Sequence, residues 1–300
     1  MYDFDELLSG RYGKCLLDEP MAHHTTFRVG GPADLLIMPN SEEDIIEIVK
    51  YCDKKDIPFI VIGNGSNLLV TDKGIRGLVI KLGKNFSDIS FDGNKLVAQA
   101  GALLSTVAKK SFKKSLTGME EISGIPGSIG GAIMMNAGAY GGEISFVTSK
   151  VRCLDKKGQV VEFTKDEMEF AYRQSVVSKR DLIVLDVEIE LEKGDYQEIE
   201  DKFKDYDNRR TSKQPLDRYS AGSTFKRPEG HYASKLIDEA GLRGFSYKRA
   251  QVSEKHCGFI INTEDATYEE IMTLIGQVQD IVKDKFGVSL ETEVKIIGEK

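Results

Sequence analysis

From residue 122 to residue 142 the chain reads Ile122-Ser123-Gly124-Ile125-Pro126-Gly127-Ser128-Ile129-Gly130-Gly131-Ala132-Ile133-Met134-Met135-Asn136-Ala137-Gly138-Ala139-Tyr140-Gly141-Gly142, without one charged side chain in a protein that is 30% charged. Glycine admits positive φ and lets another surface come close to the backbone. Runs of glycine also turn successive backbone N–H groups into a concave nest that suits phosphate oxygens. A cofactor carrying a diphosphate would use both properties. The candidate contacts are Gly124, Ile125, Pro126, Gly127, Ser128, Gly130, Gly131, Ala132, Asn136, Ala137 and Gly138. The competing reading is a buried loop whose small residues let two elements of the protein pack together.

A second stretch, Ile60-Val61-Ile62-Gly63-Asn64-Gly65-Ser66-Asn67-Leu68-Leu69-Val70, has the same character. An apolar, strand-like run breaks at Gly63, Asn64, Gly65, Ser66 and Asn67 and then resumes. Gly-Asn-Gly is also an ordinary turn signal. The dinucleotide-binding fingerprint needs a further glycine three residues on and a helix after it. Leu68 stands there instead, and the next run has strand character. A phosphate-binding P-loop is excluded as well, because Gly13-Lys14 is followed by Cys15 rather than Ser or Thr.

Such loops need a scaffold, and the hydrophobic pattern predicts one. Residues 33–38 read as a strand, and Ser41 caps a helix with Ile45, Ile46, Ile48, Val49 and Cys52 along one face. Pro58 opens a strand over 59–62, completing a β-α-β unit. Strands follow over 68–70 and 78–82, then a hairpin of 86–91 and 95–100 around Asp92-Gly93-Asn94. A short helix over 103–112 precedes the glycine-rich stretch. Strands at 148–154, 159–163 and 182–191 come after it, the last alternating apolar and acidic residues like a sheet with one exposed face. Past Gly194 a highly charged helix over 196–210 ends in the basic Arg209-Arg210-Thr211-Ser212-Lys213. A small-residue turn, Ala221-Gly222-Ser223-Thr224-Phe225-Lys226-Arg227, leads to a helix over 233–240 closed by Gly241. A strand over 258–262, a long helix over 268–286 and a final strand over 288–297 complete the chain.

With 300 residues, two or three domains are expected, and 40% hydrophobic content with 14 Phe and 11 Tyr is ample for their cores. The net charge of −7 argues against a dedicated nucleic-acid binder, whose footprint is a basic patch. Cys15, Cys52, Cys153 and Cys257 are scattered and the 4 His have no ligand-like spacing, so no metal site is expected. Unpaired cysteines fit a reducing cytoplasm. The acidic opening Tyr2-Asp3-Phe4-Asp5-Glu6 does not look like a signal peptide, and no apolar run approaches the roughly 20 residues of a membrane helix.

Taken in order, several of these pieces resemble the UDP-N-acetylenolpyruvoylglucosamine reductases, flavoenzymes of peptidoglycan precursor synthesis. They are His24-Thr25-Thr26-Phe27-Arg28-Val29-Gly30-Gly31-Pro32-Ala33-Asp34, Gly63-Asn64-Gly65-Ser66-Asn67, the 122–142 stretch, Ala171-Tyr172-Arg173-Gln174-Ser175, Ala221-Gly222-Ser223-Thr224-Phe225-Lys226 and Leu290-Glu291-Thr292-Glu293-Val294. The resemblance implies an α+β protein: a two-lobed FAD-binding domain of the vanillyl-alcohol-oxidase type, residues 1–80 and 81–194, followed by an α+β substrate-binding domain, residues 195–300. It implies non-covalent FAD, NADPH as reductant, a UDP-sugar enolpyruvate as substrate, and a monomer with no membrane or nucleic-acid partner. The family's larger type carries an extra substrate-covering loop between its Tyr-Arg and Ala-Gly-Ser motifs. Arg173 and Ser223 lie too close in sequence to leave room for it, so the chain looks like the shorter type.

The implied reaction adds a hydride to an enol-ether C=C conjugated to a carboxylate, then a proton to the neighbouring carbon. Arg173 matches the family's catalytic arginine, Ser223 its proton donor and Glu293 its catalytic glutamate. A fixed guanidinium suits a carboxylate that gains charge. From residue type alone, Arg173 could equally be a structural ion pair, Ser223 a turn hydroxyl bonded to its own backbone, and Glu293 a solvent-facing strand residue on the same face as Glu291. Tyr172, Lys213, Lys226 and Arg227 are candidates for the substrate. The alternative function is a related FAD-dependent alcohol oxidase or dehydrogenase of the same flavin fold.

Overall fold

The computed structural model describes residues 2–300; Met1, where the expected first flavin lobe begins, lies outside them. Contacts divide the chain into two compact units, each assembled from several segments. One holds residues 1–17, 35–64 and 77–209, and the other residues 18–34, 65–76 and 210–300.

The first unit is organised by two sheets. One orders the strands Gly13–Pro20, Pro32–Pro39, Ile75–Lys81 and Phe59–Ile62, the last two parallel. The helix Glu42–Lys54 starts where Ser41 Oγ accepts from Asp44 N at 3.1 Å, and it buries Ile45, Ile48, Val49 and Cys52 at helical spacing. The expected β-α-β unit is therefore present, but strand Ile75–Lys81 lies between its two strands in the sheet. The other sheet is antiparallel throughout, in the order Val160–Thr164, Thr148–Leu154, Ile183–Glu190, Lys95–Gln99, Ile89–Asp92. Leu96, Ala98, Val151, Leu185, Val187 and Ile189 from this sheet join one core with Ile129 and Ile133 of the glycine-rich stretch.

In the second unit the helix Tyr268–Phe286 packs on the small antiparallel sheet Ser246–Tyr247, Ala250–Val252, Ile260–Asn262. Thr267 and Glu270 form a capping box at its start, and Gly287, with φ +69°, ends it. Ile271, Leu274, Ile275 and Val278 fill a core shared with Phe27, Leu69, Phe225, Leu236 and Ile237.

Two expected boundaries are corrected. The final strand is limited to Lys295–Ile297, paired in parallel with Leu68–Val70. The residues before it leave the sheet because 291–293 pair instead with the turn at 224–226: Lys226 N donates to Glu291 O at 2.9 Å and Glu293 N to Thr224 O at 2.8 Å. The charged helix runs through its basic stretch to Lys213, since cations suit the carbonyls of a last helical turn.

Candidate active site

In the first unit the two glycine-containing stretches meet. Asn64 Nδ2 donates to Pro126 O at 2.5 Å, and a Cβ added at Gly63 would stand 2.0 Å from Ser128 Oγ. Ser128 caps the short helix Ile129–Met134. Packing inside the chain thus leaves no room for a side chain at 63, and it is tight at 130, where a Cβ would meet Ala100 Cβ at 3.0 Å. The N–H groups of Ile129 and Gly130 are committed to the carbonyls of Ala102 and Ala100 at 2.8 and 2.9 Å. At these two positions the expected nest of free donors does not form.

Gly131 differs. It is exposed, and a Cβ there would meet only Ser128 Oγ, at 3.6 Å. With Gly124, Pro126 and Met134 also exposed, the stretch keeps an uncharged outer face that the chain's own packing does not fill. Such a wall, small and uncharged, fits the planar ring and the close approach of a flavin nucleotide.

The turn carrying Tyr172 and Arg173 is tied to the same stretch. Ala171 and Gln174 exchange backbone hydrogen bonds of 3.0 and 3.1 Å, which leaves Tyr172 and Arg173 at the tip. Arg173 is left-handed, with φ +54°, and its guanidinium lies 4.9 Å from the Tyr172 ring centroid. Its Nη2 donates to Gly138 O at 3.4 Å, and Ser175 Oγ donates to Met134 O at 3.1 Å. Ala132 and Asn136 are buried, and Ile125, Gly127, Ala137 and Gly138 are half-buried.

In the second unit Gly65, Ser66 and Asn67 belong with Ser223 and Glu293. Gly65, with φ +66°, packs its α-carbon against the His24 carbonyl, which a Cβ would approach to 2.0 Å. Asn67 Nδ2 donates to Glu293 O at 3.3 Å, and Asn67 O accepts from Lys295 N at 2.9 Å. Thr224 is pinned from three sides: its N–H to Gly258 O, its Oγ1 to Ile260 N and its carbonyl to Glu293 N. Ser223, the preceding residue, is exposed. An anchored turn thereby presents an exposed serine one residue from the backbone of a half-buried glutamate. Because 291–293 is not a regular strand, Glu293 is half-buried while Glu291 is exposed.

The three candidate cations have different surroundings. Lys226 Nζ pairs with Glu291 Oε2 at 3.0 Å. The Arg227 guanidinium lies 4.3 Å from the Tyr232 ring centroid. Lys213 is exposed in the last helical turn, and its charge acts on His256. Burial, reinforced by Arg243 and Lys213, holds the His256 imidazole below its ordinary pKa of 6.5. Its Nδ1 accepts from Gly258 N at 3.1 Å, beside the carbonyl that anchors Thr224.

Sequence reasoning did not reach Glu143 and Ser145, which hydrogen-bond Asn136. The signal was present, because Glu143 is the first charge after the uncharged run. It also did not reach Tyr206, which stacks on Tyr140 at 5.1 Å and donates to Glu121 at 3.2 Å. No local pattern marks that pair.

A family model described as an FAD binding domain matches residues 33–164, and one described as the C-terminal domain of UDP-N-acetylenolpyruvoylglucosamine reductase matches residues 214–297. These matches, with the relatives below, make the chain an FAD-dependent oxidoreductase of mixed α and β architecture. The UDP-N-acetylenolpyruvoylglucosamine reductase of Caldanaerobacter subterraneus is 51% identical over 288 residues, 96% of this chain and 95% of that protein. The enzyme of the same name from Clostridioides difficile is 50% identical over 94% of this chain and 93% of its own. The crystal structure of the reductase from Thermus caldophilus superposes with a TM-score of 0.81 at 32% identity, covering 94% of this chain and 98% of that one. The chain belongs to the UDP-N-acetylenolpyruvoylglucosamine reductase family.

Proposed function

We infer that the chain reduces UDP-N-acetylglucosamine enolpyruvate to UDP-N-acetylmuramate, a step of peptidoglycan precursor synthesis, with NADPH as reductant, and that Arg173, Ser223 and Glu293 carry the chemistry. Bound FAD would supply the hydride-transfer chemistry between NADPH and the enol-ether carbon. Gly131 and the uncharged face around it would hold the cofactor. Arg173 clamps the substrate carboxylate as negative charge develops on the enolate, where a charge-assisted hydrogen bond strengthens most in the transition state. Ser223 hands its hydroxyl proton to the neighbouring carbon and regains one from solvent. Serine is a weak acid, so the step depends on the strong basicity of a carbanionic acceptor. Glu293, on the backbone paired with the Ser223 turn, acts on the enolate as a hydrogen-bonding carboxyl, since a bare carboxylate would repel that charge. Lys213, Lys226, Arg227 and Tyr172 take the nucleotide's anionic groups and sugar.

The observation that supports these roles most directly is the pairing of 224–226 with 291–293, which holds the Ser223 turn beside Glu293. Among the described residues no helix is long and apolar enough to cross a membrane, and the four cysteines are free. We extend the reading to a monomer working in the cytoplasm. An anaerobic absorption spectrum tests the function. The purified protein should be yellow, NADPH should bleach it, and the enolpyruvyl nucleotide should restore the colour. A preparation reconstituted with FAD that NADPH bleaches but this nucleotide does not reoxidise would overturn the substrate assignment.

A further inference from the structure

The buried amide of Asn136 has no part in the chemistry above, yet it is the best-connected side chain of the glycine-rich stretch. Asn136 is 2% exposed and holds φ at +40°, a region asparagine enters more readily than most residues. Its Nδ2 donates to Glu143 Oε2 at 2.7 Å and to Ala171 O at 3.3 Å, and its Oδ1 accepts from Ser145 N at 3.3 Å. Two acceptors at one end and a donor at the other fix which way the amide points. Glu143 is held in turn, since Ser145 Oγ donates to its Oε2 at 3.2 Å. Ala171 O opens the tight turn whose tip is Tyr172 and Arg173, and Glu143 pairs across the hairpin with Gly138, whose carbonyl accepts from Arg173. Residues 134–143 therefore grip the arginine turn at its base through Asn136, at its exit through Met134 and at the guanidinium itself through Gly138. With its amide committed in this way, Asn136 has little left to offer a ligand from its side chain.

We propose that Asn136, oriented by Glu143, is the positioning residue for Arg173, fixing the left-handed turn that presents the guanidinium to the substrate carboxylate. The proposal rests on the role given to Arg173 above. A two-residue turn has few anchors of its own, and left-handed backbone at a non-glycine residue persists only where the surroundings enforce it. Misplacing a clamp by about 1 Å can lower a rate about 10²-fold.

The test uses the holoenzyme. Asn136→Gly keeps the left-handed backbone and deletes the amide. Stopped-flow absorbance should show NADPH bleaching the flavin at close to the normal rate, while reoxidation by the enolpyruvyl nucleotide slows about 10²-fold. In an Arg173→Ala background the same substitution should add less than about twofold, because one defect already contains the other. FAD affinity, read from the fluorescence of released flavin, should be unchanged. Calorimetric titration with the enolpyruvyl nucleotide should show the weakened binding that Arg173→Ala shows. Glu143→Gln, which keeps an acceptor for the amide but not the charge, reads the same cycle with a smaller defect if Asn136→Gly does not fold. Weakened FAD binding in Asn136→Gly would assign the residue to the cofactor instead. Defects that multiply with those of Arg173→Ala would make it independent of the arginine. Either result overturns the proposal. Normal reoxidation in Arg173→Ala alone would remove the role of Arg173 itself, and the positioning role with it.

Discussion

Replacing Gly131 by alanine separates what the glycine-rich stretch does for the fold from what it does for the cofactor. Gly131 lies in the helix Ile129–Met134 without a positive φ, and the added methyl would meet only Ser128 Oγ, at 3.6 Å. Alanine in a helix is more stable than glycine by about 0.5–1 kcal/mol, so the protein stripped of flavin should melt about 1–4 °C higher. If a flavin lies against this face, the same methyl intrudes on a tight contact. Overpacking of that kind costs about 1–3 kcal/mol, or about 5- to 150-fold in Kd. Gly130→Ala is the control, because its methyl would stand 3.0 Å from Ala100 Cβ and 3.3 Å from Ala100 O. It should raise the melting temperature of the flavin-free protein less than Gly131→Ala does, because the tight contact with Ala100 offsets the gain in helix propensity. Scanning calorimetry of that protein and a fluorescence titration with FAD measure the two quantities independently. Wild-type FAD affinity in Gly131→Ala would refute the idea that this open face is the cofactor's wall.

Ser223→Ala should leave bleaching by NADPH near normal and slow reoxidation by the enolpyruvyl nucleotide about 10²–10⁴-fold, the usual worth of a general acid. Equal slowing of both steps would make Ser223 a positioning residue; cysteine at 223 should recover part of the loss, and Glu293→Gln should impair the same step. Charge removal at Lys213, Lys226 or Arg227 should raise KM for the nucleotide and mimic added salt. Unchanged KM in all three variants would exclude them. Finally, burial, with Arg243 and Lys213 nearby, lowers the pKa of His256 in the folded state, whereas the unfolded chain takes up that proton near the ordinary pKa of 6.5. The contribution is absent above that pH and becomes destabilising as pH falls below it. His256→Asn, which retains an acceptor for Gly258 N, should flatten the loss of melting temperature in mild acid; an unchanged slope would assign that loss to other groups.

The elements with a strong local signal were legible in the sequence. Ser41 and the apolar positions behind it specify the helix Glu42–Lys54, and the strand Thr148–Leu154 and the helix Tyr268–Phe286 have the bounds their patterns predict. Local pattern cannot see pairings between distant segments. The segment 288–297 reads as one strand, yet only Lys295–Ile297 finds a strand partner while Thr292 bridges Phe225. The strand Ile75–Lys81 enters between the two strands of the β-α-β unit for the same reason. At the site, the glycines announced themselves, but residue type could not separate Gly63 and Gly130, which face close neighbours inside the chain, from Gly131, which has only an ordinary contact with Ser128 Oγ. Asn136 was visible as part of a stretch expected to bind a ligand. That its amide points into the protein, toward Glu143 and the arginine turn, depends on a hairpin and a loop that meet only after folding.

The parallel pair of Leu68–Val70 with Lys295–Ile297 bears on how the protein is made. Asn67 and Glu293, joined beside that pair, are 226 residues apart in sequence. At about 5–20 residues per second of synthesis, the earlier strand waits roughly 10–45 s for its partner to leave the ribosome. Through that interval its backbone edge is open, and long-range pairing of this kind is slow and exposed to aggregation. The pairing of 224–226 with 291–293 therefore cannot assemble on a nascent chain, however early the glycine-rich loops emerge. Conditions that stall translation near the end should release insoluble chains rather than partly active ones.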